Sequence, residues 1–344
     1  MIHAESTNEE LGADTQAQQA IPPDSFDVLV IAPMSAGKST LINALLGREL
    51  LHSANEATTA CLTSINYREN ERFFNGACYS QNGQEISAYD QVSYEQVRLW
   101  NADPQVSHIK LFGDFFGSPS PIRGLVLHDT PGPNNSRDER HALIMQEALD
   151  RIRSHMVIYV LNTEQLGIND DRSLLVLLRK KMAEKPMGQI VFVLNKIDLL
   201  DLERGERVED CVRKTQEYLE WLGFIDPVII PVASSAALFA RKVLNGESLT
   251  SMQRIKLNQM LDGFHDEKYT LIRSATVPEG IKSSVRDEIC RLENVSNRKL
   301  LDPHTRRTVQ LRQLVAYSGI RTLESASYHQ YKESMSDESD RDHP

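Results

Sequence analysis

The chain has 344 residues, 40% hydrophobic and 25% charged, with a formal net charge of -10. That composition is ordinary for a globular protein, and the length suits one large domain with an appendage. The acidic balance argues against general nucleic-acid binding, which needs a basic face, and against a purely electrostatic hold on anionic lipid.

Residues 1–24 are polar, end in "PPD" and read as a disordered arm. They show neither the basic nor the apolar region of a signal peptide, and no apolar run in the chain approaches a bilayer span. Cys61, Cys78, Cys211 and Cys290 lack CxxC spacing. No zinc knuckle or disulfide framework is expected, and a reducing cytoplasm fits best, with membrane contact at most peripheral. "FDVLVIA" (26–32) reads as a buried strand and "GKSTLINALLG" (37–47) as a helix closed by Gly47. Strands are expected at 122–130, 155–162, 189–198 and 227–234, with helices between them at "RDERHALIMQEALDRI", "DDRSLLVLLRKKMAE" and "RVEDCVRKTQEYLEWLG". Near-continuous Val/Ile/Leu strands alternating with helices predict an α/β fold: a mostly parallel sheet covered on both faces. From about residue 245 the pattern turns helical, including "TRRTVQLRQLVAYSGIRTLESA" as one stretch, and the acidic end 327–344 is expected to be disordered.

Four stations lie along this alternation. "APMSAGKST" (32–40) fits [AG]-x-x-x-x-G-K-[ST] between a strand and a helix. In such a loop the backbone amides of Ala32, Met34, Ser35, Ala36, Gly37 and Thr40 surround phosphates at a helix N-terminus. Gly37 lets the chain pass close, Lys38 reaches the β/γ oxygens, and Ser39 offers a hydroxyl to Mg²⁺. "DTPG" (129–132) is weak alone, since D-x-x-G occurs about once by chance in such a chain. It ends a strand, as Asp129 must to reach the metal through water, with the Gly132 amide on the γ-phosphate. "NKID" (195–198) also ends a strand. Asp198 can accept hydrogen bonds from guanine N1 and N2, which adenine cannot offer; Asn195 buttresses the loop and the Lys196 stem lies over the base. "VASSAAL" (232–238) supplies a small-residue loop toward guanine O6, with Ser234 chosen within one residue of register. Between the first two stations, Thr59, with Thr58 as the alternative, fits a switch threonine for Mg²⁺ and the γ-phosphate.

With those residues in view, the chain resembles the GTPase domain of the dynamin superfamily, in particular bacterial dynamin-like proteins. The resemblance rests on "MSAGKST", "TTACLT", "HDTPGPNNSRDERH", "NKIDLLD" and "YSGIRTLE", and on the interval of about seventy residues between Thr59 and Asp129. It covers 26 to about 326 and implies a P-loop NTPase three-layer sandwich over residues 25–326 with C-terminal helices. It implies GTP hydrolysis with Mg²⁺ and catalysis through Ser35, Lys38 and Thr59. It further implies a monovalent cation, K⁺ or Na⁺, beside Ser35, and Asp201 on the nucleotide of the opposite subunit of a nucleotide-dependent dimer. Pro133 stands where small GTPases carry a water-orienting glutamine, and Met34 replaces the glutamine of eukaryotic dynamins; either Asn134 or switch backbone then places the water, or turnover is slow. Arg123, Arg137 and Arg140 read as surface charge rather than arginine fingers. No stalk sequence follows the domain, so a stand-alone or truncated form acting with a longer dynamin-like partner is expected. The rival reading is a GTP-dependent binding module with little hydrolysis. A ribosomal-RNA assembly role is disfavoured by the acidic balance.

Overall fold

The computed structural model describes residues 25–341 apart from 53–60, 116–120, 132–138, 166, 168, 267–268 and 298–300. Strands β1 (Phe26–Ile31), β2 (Leu62–Tyr67), β3 (Asn75–Tyr79), β4 (Glu85–Tyr89), β5 (His108–Gly113), β6 (Leu125–Asp129), β7 (Met156–Asn162), β8 (Gln189–Asn195) and β9 (Val228–Val232) form one sheet. Its order is β4-β3-β5-β2-β6-β1-β7-β8-β9. The five strands from β6 to β9 run parallel. β2 turns antiparallel to β6, and β3 is antiparallel to both β4 and β5. Among the described residues the helices are α1 (Lys38–Leu46), α2 (Tyr94–Ala102), α3 (Glu139–Arg151), α4 (Asn169–Glu184), α5 (Val208–Trp221), α6 (Ser234–Leu244), α7 (Ser251–Asp266), α8 (Thr270–Ser274), α9 (Glu279–Ser296), α10 (Pro303–Tyr317) and α11 (Ile320–Arg341).

β1 shows why the parallel strands are apolar throughout. Val28 and Val30 enter the core beneath α1, α6, α10 and α11, while Leu29 and Ile31 enter the opposite core beneath α3, α4 and α5. A strand covered on both faces leaves no position for alternation. The expected three-layer α/β sandwich is therefore present. None of the helices among the described residues is long and apolar enough to cross a membrane.

The C-terminal helices seal one edge of this sheet. Pro231 has no amide to offer a further strand, which suits an edge. The β9 groups beside it bond outward: Ala233 N donates to Ser318 O at 2.9 Å, Thr276 N donates to Ile229 O at 2.9 Å, and Ile229 N donates to Thr276 Oγ1 at 2.6 Å. The expected single helix near "YSGIRTLE" is two, α10 and α11, broken at Gly319. That residue has φ +81°, and an added Cβ would collide with Pro231 O, so the helix ends where the chain meets the sheet edge. α11 runs helical to Arg341, across residues whose acidic composition suggests disorder. Its Tyr331 ring packs edge-on to Phe26, which gives that helix an anchor the acidic composition conceals.

A buried charge network joins these helices to the P-loop helix. Arg241 of α6 donates from Nη1 to Ala44 O at 2.6 Å, at the C-terminal end of α1, and from Nη2 to Glu324 Oε1 at 2.6 Å. Arg321 binds the other oxygen of Glu324 at 2.8 Å and reaches Glu288 of α9 at 3.2 Å. A guanidinium at the carbonyl end of a helix is favourably placed by the helix dipole.

Candidate functional site

The candidate site sits at the C-terminal ends of the parallel strands, where the chain leaves β1, β6, β8 and β9. Ligands of open α/β sheets bind at that edge, beside the strand from which connections depart in both directions. Here that strand is β1, flanked by β6 and β7.

The loop after β1 is built from two left-handed residues. Ser35 has φ 60° in the turn closed by Ala36 N donating to Pro33 O, and Gly37 has φ 89° immediately before α1. Departures of this kind between right-handed neighbours turn successive amides toward one point, an anion-binding concavity. The amides of Lys38, Ser39 and Thr40 open α1 and have no partner within the helix. Ala32 and Ala36 are buried supports, Ser35 is half-buried, and Met34 projects, 42% exposed. A non-glycine residue held left-handed, as Ser35 is, marks a place where the surroundings over-determine the backbone.

Lys38 and Asp129 come together although 91 residues separate them. The Lys38 ammonium donates to Asp129 Oδ1, with both groups buried. Beside them Thr130 Oγ1 donates to Val30 O at 2.9 Å, fixing the end of β6 to β1. Gly132, Thr58 and Thr59 lie outside the described residues, as do Pro133, Asn134 and Arg137.

Asn195 joins three stations. Its Nδ2 donates to Ala36 O at 2.9 Å in the P-loop, and its Oδ1 accepts from Ser234 Oγ at 2.7 Å. The buttress expected at Asn195 is therefore a bridge between the loop after β1 and the start of α6. Gly37 is needed for this, because a Cβ there would run into Asn195 Nδ2. Gly37→Ala is expected to lose detectable guanine-nucleotide binding in a fluorescence titration. It should also lower the folding free energy by about 1–3 kcal/mol for the left-handed backbone alone, measured by denaturant melts.

Ser234 differs from expectation. The segment is no loop but the first turn of α6, and both Ser234 donors, Oγ and the amide at 3.3 Å, are directed at Asn195. The adjacent Ser235 amide, one register along, belongs to the helix end that lacks intrahelical partners.

Lys196 is left-handed (φ 65°) and opens the short 3-10 turn Ile197–Leu199 that presents Asp198. Burial raises the pKa of Asp198, opposed by the positive charges of Lys256 and Lys196. Asp201 has a local use: its carboxylate accepts from Arg204 N at 3.0 Å and pairs with Arg204 Nε at 3.1 Å, capping the turn that follows.

Several contributors escaped the sequence reading. Thr163, just after β7, donates to Asn195 O at 3.0 Å. Its place one residue past a strand end was the available signal. Lys256 of α7 carries no motif at all. On the α3 side of the sheet, Ser64 of β2, His128 of β6 and Asp27 of β1 form a buried chain. His128 Nδ1 lies 3.0 Å from Ser64 Oγ, and His128 Nε2 lies 2.7 Å from Asp27 Oδ1. Burial pulls the Asp27 pKa up, but hydrogen bonds from His128 and Ser25 outweigh it and leave the carboxyl below its usual value. The chain locks together the strands that carry Asp129 and the P-loop.

The sequence model of the Dynamin family matches residues 28–197. No curated protein matches the chain. Two structures of an oligomerised bacterial dynamin pair, described as providing a mechanism for long-range sensing and tethering of membranes, are similar at 17% identity and a TM-score of 0.47. One match covers 79% of this chain and 44% of the other, and the second covers 81% and 43%. The chain thus spans less than half the length of those proteins. From the strand entering the P-loop to the strand ending at Asn195, just under half of its residues, the chain is similar to the Dynamin family.

Proposed function

We propose that the chain binds GTP together with Mg²⁺ and hydrolyses it to GDP and phosphate, with turnover stimulated when two GTPase domains meet. The observation that carries this reading is Asn195, hydrogen-bonded at once to the P-loop and to the first turn of α6. A base read at Asp198 is thereby held in fixed register with phosphates gripped at Lys38. Asp198 accepts from guanine N1 and N2, the Lys196 stem covers the base, and the Ser235 amide faces O6. Ser39 and Asp129 suit a hard cation that otherwise takes phosphate and water oxygens. Held by these residues, Mg²⁺ would supply positive charge to the β and γ oxygens. Lys38 adds a second positive charge there, and the amides of the P-loop and of Gly132 hold the transferred group in place; no covalent intermediate is required. Thr59, with Thr58 as the alternative, would offer its hydroxyl to Mg²⁺ and its amide to the γ-phosphate. Ser35 would hold a monovalent cation, K⁺ or Na⁺, which would add positive charge beside the phosphates. Asp201 reaches the opposite subunit's nucleotide, the partner being a second copy or a longer dynamin-like protein.

Met34 favours a second reading, a GTP-dependent binding module, because its thioether has no proton with which to orient water. Turnover measured over a range of protein concentrations separates the two. A rate per molecule that climbs with concentration supports dimer-stimulated hydrolysis. A flat, very low rate with tight GTP binding supports the module, and no preference for GTP over ATP removes both.

A further inference from the structure

One polar group at the site has no role in the scheme above. Thr63 stands directly opposite Asp129 in the antiparallel pairing of β2 with β6. Residues so paired project from the same face with Cβ atoms about 4.5–5.5 Å apart. That face is the α1 side: the flanking pair Ile65 and Leu127 enters the core beneath α1, as does Cys61 two residues before Thr63. Thr63 is fully buried, and its hydroxyl hydrogen-bonds only the Cys61 side chain among the described residues. The nearby Cys61 sulfur is only a weak acceptor. Its thiol pKa is pushed up to about 12, first by burial and then by the Asp129 charge, against the Thr63 hydrogen bond that lowers it.

A buried hydroxyl whose only partner is a sulfur is left with a weak hydrogen bond. Such a group is retained at a site when it finds a stronger partner in another state of that site. Lys38 indicates which state. Its ammonium donates to Asp129 Oδ1, but the same ammonium is needed on the β/γ oxygens of a bound nucleotide. Once it turns there, Asp129 loses a donor.

We infer that Thr63 is a positioning residue for Asp129: its hydroxyl donates to the carboxylate as Lys38 leaves, aiming the other oxygen at the water shell of the metal. The inference rests on the proposed GTP and Mg²⁺ reading. Partners that orient a metal-holding group in this way commonly change metal affinity about 10–100-fold when removed.

The test uses the full chain, Thr63→Val and Thr63→Ser, a fluorescent non-hydrolysable GTP analogue and a Mg²⁺ titration. Thr63→Val keeps the shape and deletes the hydroxyl. Without nucleotide it should melt close to the wild-type temperature, because only a weak bond to sulfur has been removed. Its Mg²⁺ half-saturation with analogue bound should rise about tenfold, while affinity for the analogue in EDTA stays unchanged. Thr63→Ser should restore the wild-type Mg²⁺ dependence. A merely structural threonine would give the reverse pattern. Wild-type Mg²⁺ dependence in Thr63→Val overturns the inference, and so does a Thr63→Val protein that melts well below wild type. If the wild-type chain shows no Mg²⁺-dependent analogue binding, the function proposed above falls and this inference with it.

Discussion

Asp198→Asn is expected to convert a GTP-preferring protein into one that prefers xanthosine triphosphate. A carboxylate can accept from both N1–H and the exocyclic N2–H of guanine; an asparagine side chain must turn a donor toward one of them. The loss of one charge-assisted hydrogen bond and the clash of two donors should cost about 3 kcal/mol, roughly a hundredfold in GTP affinity. Xanthine carries an oxygen where guanine carries N2, so the same amide regains a partner there and ATP gains nothing. Competition binding with GTP, XTP and ATP against a labelled nucleotide reads all three. A variant that still prefers GTP would remove Asp198 from base recognition.

The half-buried setting of Asp198 adds a pH dependence. Burial raises its pKa above the ordinary carboxylate value, against the pull of Lys256 and Lys196. Guanine needs the ionised form. GTP affinity should therefore fall on acidification, beginning at a higher pH than an exposed aspartate would give. The contribution to protein stability has the opposite sign: a carboxyl whose pKa is higher folded than unfolded binds its proton more tightly in the folded state, so acidification through that range favours folding. Binding and melting measured across the same buffers should diverge.

The site was legible where its chemistry is local. Apolar runs marked β1, β6, β8 and β9 because strands covered on both faces have no polar positions, and each motif sits at the end of one. Thr63, Thr163 and Lys256 were invisible because their roles are pairings through space. Thr63 meets Asp129 only because β2 lies beside β6, and an order of β4-β3-β5-β2-β6-β1-β7-β8-β9 is not encoded in any local pattern. The start of α6 was misread for a related reason. Small residues after β9 look like a loop, yet Ser234 donates to Asn195 rather than capping its own helix, so the helix begins under a contact 39 residues distant. Gly319 could have signalled the end of α10, since glycine is the usual left-handed residue past a helix. The continuous helical spacing on either side hid it.

Lys38→Ala is expected to abolish measurable GTP binding and also to destabilise the protein in the absence of nucleotide. The second effect follows from the ion pair. Lys38 is 8% exposed and Asp129 1% exposed, and they bond to each other at the base of the loop. Removing one member of a buried pair leaves a charge without compensation, at a cost of about 3–5 kcal/mol. For a domain of this size that lowers the melting temperature by on the order of 6–10 °C. Truncation of the lysine stem also loses packing, so Lys38→Met is the better partner for the comparison: it keeps the stem and removes the charge. The decisive variant is Lys38→Met combined with Asp129→Asn, which removes both charges. Replacing a buried pair with neutral groups is often close to neutral for stability, so the double variant should recover most of the lost melting temperature and none of the binding. Recovery of stability without binding assigns Lys38 two uses, holding Asp129 and holding phosphate, which one ammonium cannot serve equally at once. If instead the single variants melt like the wild type, the pair contributes nothing to the fold. The requirement that Asp129 exchange one donor for another on nucleotide binding would then disappear.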